Sequence, residues 1–133
     1  MGSRRRGSFV AVVEDDLGVR AAILELLRSC DIEARGFSSA EQFLKFRQRS
    51  QAGCLVLDMK LPGMTGLALL QRLLASGLRI PAICATTEAD FDEPLRQQLL
   101  QAGAVAVLGK PFDPERFLDL VHMALTPTAH PRG

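Results

Sequence analysis

The reactive side chains of this chain fall at four places, each at the end of a short apolar run. Glu14-Asp15-Asp16 follows Phe9-Val10-Ala11-Val12-Val13, Asp58 follows Cys54-Leu55-Val56-Leu57, Thr86 follows the run 80–85, and Lys110 closes the run 105–108 after one glycine. Acids normally populate solvated helix faces, so this placement is not a chance scatter. Carboxylates gathered at one point repel unless something positive sits among them, and the available groups are a divalent cation, Lys110, or both. Oxygen-only ligation without clustered His or Cys points to Mg²⁺, which takes few protein ligands and keeps several waters. Such a site is open to a phosphoryl group. A carboxylate at its centre can attack phosphorus and become an aspartyl-phosphate, while the metal and Lys110 neutralise charge on the transferring oxygens and Thr86 donates a hydrogen bond to one of them.

The elements that must hold these groups alternate along the chain. Continuous apolar runs over 9–13, 54–57, 80–85 and 105–108, with a weaker one over 32–37, read as strands, and the first as a buried central one. Between them lie helical patterns. Val19, Ile23, Leu26 and Leu27 mark the first helix, over 17–28, and Ser38-Ser39-Ala40-Glu41 reads as a capping box opening the second before Phe43, Leu44 and Phe46. An apolar helix over 67–74 stops at Ala75-Ser76-Gly77, a fourth runs from Glu93-Pro94 to Ala102-Gly103, and Asp113-Pro114-Glu115 opens a last one to Leu125. Five strands alternating with five helices predict one α/β domain around a parallel sheet. In such sheets ligands bind outside the carboxyl ends of the strands, the edge on which every candidate here lands.

Composition sets the bounds. With 133 residues, 47% of them hydrophobic, and a net charge of +1, the chain is one folded domain and not a disordered or bulk-basic nucleic-acid-binding one. It has seven Phe but no Trp or Tyr, which disfavours base-stacking and flavin-stacking sites. Cys30, Cys54 and Cys84 are an odd, widely spaced set in apolar surroundings and read as reduced core residues of a cytoplasmic protein. No apolar run is long enough to span a bilayer. Residues 1–8, with Arg4-Arg5-Arg6, and 126–133 have tail composition, leaving 9–125 as the domain. His122, inside the last helix, and His130, in a tail, are not expected to donate phosphate.

Val12-Val13-Glu14-Asp15-Asp16, Leu57-Asp58-Met59-Lys60-Leu61-Pro62-Gly63-Met64-Thr65-Gly66, Thr86, and Gly109-Lys110-Pro111-Phe112, in that order, resemble the receiver domain of two-component response regulators, the CheY-like superfamily. The resemblance covers residues 9–125. It implies a flavodoxin-like three-layer sandwich of strand order 2-1-3-4-5. It also implies Asp58 as phosphoacceptor, Asp15 as direct Mg²⁺ ligand, Glu14 as a ligand through water, the backbone carbonyl of Lys60 as a further ligand, Thr86 as switch hydroxyl, Lys110 as phosphate contact, and a cis Lys110–Pro111 bond. The implied partners are a sensor histidine kinase or phosphotransfer protein as donor, and an output domain or downstream protein reading the face of the fourth helix, fifth strand and fifth helix. A homodimer is compatible with that face, while membrane contact and direct nucleic-acid binding are not expected. Such a protein assists its own phosphorylation without being a turnover enzyme. The chain ends soon after the last helix, so the expectation is a stand-alone receiver or a piece without its effector.

Four positions depart from the family pattern. Glu14 stands where Asp is commoner, Val107 where an aromatic residue usually serves as readout, and Thr87 where Ala or Gly is usual. The segment 86–103 is about two residues long for the family, which displaces the start of the fourth helix. Lys60 and Glu88 are expected to face each other across the mouth of the site. Three other readings compete. A phosphohydrolase resembling the haloacid dehalogenase group wants an acid where Lys60 stands. A flavodoxin-like carrier lacks its phosphate loop here. A pseudo-receiver, acting as a phosphorylation-independent interaction module, is opposed by the intact Glu14, Asp15, Asp58, Thr86 and Lys110 but kept open by Val107.

Overall fold

A computed structural model describes residues 8–87 and 92–126. The predicted tails therefore lie largely outside the described residues. The hydrophobic run Phe9–Val13 forms β1, buried along its whole length. A strand with no polar residue on either side can be stable only with both faces covered, which puts it inside a parallel sheet. Five parallel strands run in the order β2-β1-β3-β4-β5, with β2 over Ala34–Phe37, β3 over Ala52–Asp58, β4 over Ala82–Thr86 and β5 over Ala104–Gly109.

The period of two in the strands divides the core. Val10 and Val12 face α1 (Leu17–Ser29) and α5 (Pro114–Leu125), packing with Ile23, Leu27, Phe117 and Val121. Phe9, Ala11 and Val13 face the other way, toward α2 (Ala40–Lys45), α3 (Gly66–Ala75) and α4 (Glu93–Gln101), and pack with Phe43, Leu69, Leu73 and Leu99. The result is the predicted helix–sheet–helix sandwich. Among the described residues no helix is long and apolar enough to cross a membrane.

Among the described residues, α1 to α5 each begin on a side-chain cap. Asp16, Ser39, Thr65, Asp92 and Asp113 each accept a hydrogen bond from the amide three residues on. Each such cap is worth about 1 kcal/mol. The second lies one residue later than the expected box: Ser39 accepts from the Gln42 amide, and the Gln42 side chain accepts from the Ser38 amide and hydroxyl at 3.0 and 2.9 Å. Glu41 is thereby released from the cap.

Other boundaries differ for identifiable reasons. Ile32, expected to start β2, closes α1 instead: its amide donates to the Leu27 carbonyl and that of Asp31, at φ 61, to Arg28. This two-bond ending is the Schellman pattern, repeated after α3 with Gly77 at φ 82. The fourth strand starts at Ala82, after Pro81, which has no amide hydrogen to give to a ladder. A 3-10 turn over Arg49–Gln51 was not expected. Cys54 and Cys84 are core residues as predicted, but Cys30 is exposed, because it occupies the C-cap of α1 where the chain turns toward solvent.

Candidate functional site

The parallel register fixes where the polar residues emerge. Val13 lies beside Leu57, Asp58 beside Ala85, and Thr86 beside Gly109, so the strands finish nearly level and their next residues meet at one edge. Backbone bonds continue past the ladder there: the Glu14 amide donates to the Phe37 carbonyl (3.0 Å), the Met59 amide to Ala85 (3.0 Å) and the Lys110 amide to Thr86 (2.8 Å). These bonds stop the loops from drifting apart.

Glu14, Asp58 and Thr86 are buried, whereas Asp15 is exposed. Carboxylate oxygens of Glu14, Asp15 and Asp58 lie within 4.8 Å of one another. Lys110 is seated between two of them, its Nζ 3.2 Å from Glu14 Oε1 and 3.2 Å from Asp58 Oδ1. With Asp16, Val19, Lys60, Thr86 and Thr87 these residues line a cleft of about 280 Å³. All the residues predicted for the site are thus brought to one place. Three converging carboxylates with no His or Cys among them are a donor set suited to a hard divalent cation, and so fit Mg²⁺.

The electrostatics are those of a crowded acid site. Burial pushes the Glu14 carboxyl above its ordinary value of 4.5, and the Asp58 charge adds to this; the Asp16 amide and Lys110 work the other way without cancelling it. For Lys110 burial opposes the charge, but the hydrogen bond to Glu14 and the charges of Asp58 and Glu14 outweigh it, and the ammonium is held above 10.5. Lys110 is therefore a fixed cation at neutral pH.

Finer contacts set the remaining side chains. The Lys60 amide donates to Asp58 Oδ1 at 3.2 Å, leaving the other carboxylate oxygen outside that bond. The Thr86 hydroxyl donates to the Thr87 carbonyl at 3.3 Å. Asp16 serves as the cap of α1, its Oδ1 accepting from the Val19 amide at 2.9 Å. The Lys110–Pro111 bond is cis. Val107 is half-buried and packs against the face of the core that holds α4. Glu88, the expected partner of Lys60, lies outside the described residues.

Two supporting residues escaped the sequence reading. Arg20, one turn into α1, donates from its guanidinium to the Glu14 carbonyl at 2.7 Å and so fixes the acidic loop from behind. Gly36 makes room for it, since a Cβ there would stand 3.1 Å from Arg20 Cδ. The available signal was a basic residue four positions after the Asp16 cap. Glu41 is the second: its Oε2 accepts from the Met64 amide at 3.0 Å, across 23 residues, a separation that no local pattern reports.

The profile of the response regulator receiver domain matches residues 10–122. Response regulator protein TodT of Pseudomonas putida is 37% identical over 120 residues, covering 90% of this chain and 52% of TodT. The structure of response regulator StyR superposes with a TM-score of 0.80 at 38% identity, covering 89% of this chain and 59% of that one. That of FixJ-N does so with a TM-score of 0.78 at 30% identity, covering 88% of this chain and 92% of that one. The chain thus spans about half the length of TodT. A profile extending over most of the sequence, a relative above 30% identity and the observed strand order agree, and the chain belongs to the receiver-domain family of two-component response regulators.

Proposed function

We propose that the chain is a phosphoacceptor that receives a phosphoryl group on Asp58 and changes its surface in consequence. The observation that carries this is the Asp58 carboxylate at the end of β3, with Lys110 Nζ at 3.2 Å and the Glu14 and Asp15 carboxylates within ligand reach. An Asp58 oxygen attacks the phosphorus of a phosphohistidine on a sensor kinase or phosphotransfer protein. The P–O bond forms as the P–N bond breaks, and the imidazole leaves with the electron pair. Lys110 stabilises the charge on the transferring oxygens, and the Thr86 hydroxyl leaves the Thr87 carbonyl to donate to one of them. Asp15, Asp58 and the Lys60 carbonyl would hold Mg²⁺ directly and Glu14 through water, and the ion would supply further charge neutralisation for the transfer.

The reorientation of Thr86, at the end of β4, is passed to the neighbouring surface of α4, β5 and α5. An output domain or downstream protein reads that face, and a second copy of the chain can pair through it. The receiver occupies 9–125 with tails on either side, works in the cytoplasm, and is not a turnover enzyme on an external substrate. With Val107 half-buried on β5, the readout does not run through an aromatic side chain at that position.

Incubation with Mg²⁺ and acetyl phosphate, followed by intact mass, tests the assignment. Wild type is expected to gain one acid-labile phosphate and Asp58→Asn none. No adduct on wild type would overturn it and leave the pseudo-receiver.

A further inference from the structure

We propose that Glu41 is a positioning residue for the acid site, clamping from α2 the loop that joins Asp58 to α3, a role that rests on the phosphoacceptor reading above. That loop, 59–65, carries Lys60, whose carbonyl is assigned to the metal and whose amide holds Asp58 Oδ1. Its near end is anchored by Met59, buried and bonded to Ala85, and its far end by the Thr65 cap of α3. Between them the Met64 amide donates 3.0 Å to Glu41 Oε2, a bond from a different helix.

A second feature shows that the loop is shaped around this carboxylate. Gly63, at φ 75, presents no side chain to it: a Cβ there would stand 2.7 Å from Glu41 Oε2. Glu41's own amide and that of Met64 also hold its carboxyl below the ordinary 4.5, so the acceptor stays charged at neutral pH. The shift of the capping box to Ser39 and Gln42 is what leaves Glu41 available. An ionised acceptor makes a stronger hydrogen bond than a neutral one, and the second-sphere partner of a metal-site loop sets how well its ligands are aimed.

The test compares wild type, Glu41→Ala and Glu41→Gln by calorimetric Mg²⁺ titration and by hydrogen exchange at the Met64 amide, with the thermal midpoint as control. Glu41 is exposed, so both variants are expected to melt near wild type. Glu41→Ala is expected to exchange the Met64 amide about fivefold faster and to bind Mg²⁺ about tenfold more weakly. Glu41→Gln, which keeps an acceptor oxygen but no charge, recovers part of both. Faster exchange with unchanged Mg²⁺ affinity, or no change in either, would overturn the clamp. So would a Gln variant as impaired as Ala, since an accepting oxygen at that place would then hold nothing. If wild type binds Mg²⁺ yet takes no phosphate from acetyl phosphate, the phosphoacceptor reading fails while the clamp is still judged by these two measurements.

Discussion

Replacing Lys110 with Met removes the cation seated between Glu14 and Asp58 while keeping most of the side-chain volume. Each 3.2 Å contact, to Glu14 Oε1 and to Asp58 Oδ1, corresponds to about 5 kcal/mol of gross attraction at an effective dielectric of about 20. Carboxylates within 4.8 Å of each other repel by about 3.5 kcal/mol or more per pair on the same scale. Desolvation cancels much of the attraction, because the Glu14 and Asp58 side chains are only 5% and 10% exposed. Removing one member of a buried ion pair costs about 3–5 kcal/mol, and water in the open cleft lowers that here to about 2–3 kcal/mol. With a urea slope of about 2 kcal/mol per molar, the metal-free variant's midpoint at pH 7 should fall by about 1–1.5 M. Far-UV circular dichroism reads it, since the protein has no Trp or Tyr to report by fluorescence.

The pH dependence has a definite sign. Lys110 is raised above 10.5 in the fold, so its contribution is complete below pH 10.5 and fades only as pH rises through the raised value. Glu14 is also raised, mainly by burial, and for an acid this means that ionisation costs stability as pH climbs from 4.5. Without Lys110 that cost grows. The deficit of Lys110→Met should therefore be largest at neutral pH and shrink as pH falls toward 4 and the Glu14 carboxyl, raised above 4.5, takes up its proton. Millimolar Mg²⁺ should stabilise the variant more than wild type, because binding no longer competes with an internal cation. Equal midpoints at pH 7, or a deficit that persists undiminished at pH 4, would refute this electrostatic balance.

Native protein should show one thiol reacting promptly with a disulfide reagent at pH 8, Cys30, against three after unfolding. Burial pushes Cys54 and Cys84 up to about 12 and hides them, and prompt reaction of a second thiol would contradict the packing. Gly66→Ala should destabilise by about 1–3 kcal/mol in the same urea assay, because the new methyl would press on the Met59 side chain and stand 3.0 Å from the Asp58 carbonyl oxygen. A variant as stable as wild type would show that this junction of β3 and α3 is looser than described.

The acid cluster was legible because strand-ending polar residues follow apolar runs directly, and a parallel sheet with level strand ends can only bring them to one edge. Glu14, Asp58, Thr86 and Lys110 needed no tertiary information to be grouped. The helix start at Asp113 was legible for a similar reason, since a cap is satisfied within three residues. Strand starts were not: whether Ile32 pairs in a sheet or closes α1 depends on which partner its amide finds, and Pro81 shortens β4 only where a ladder bond is wanted. Burial of Cys30 failed because it stands at the C-cap of α1, where the chain turns toward solvent. Distances among the carboxylates, the double engagement of Lys110, the Arg20 bond to Glu14 and the Glu41 bond to Met64 were decided by tertiary structure alone. Each joins residues whose approach depends on how helices settle on the sheet, and side-chain reach over a few ångströms is set by packing that no sequence spacing encodes.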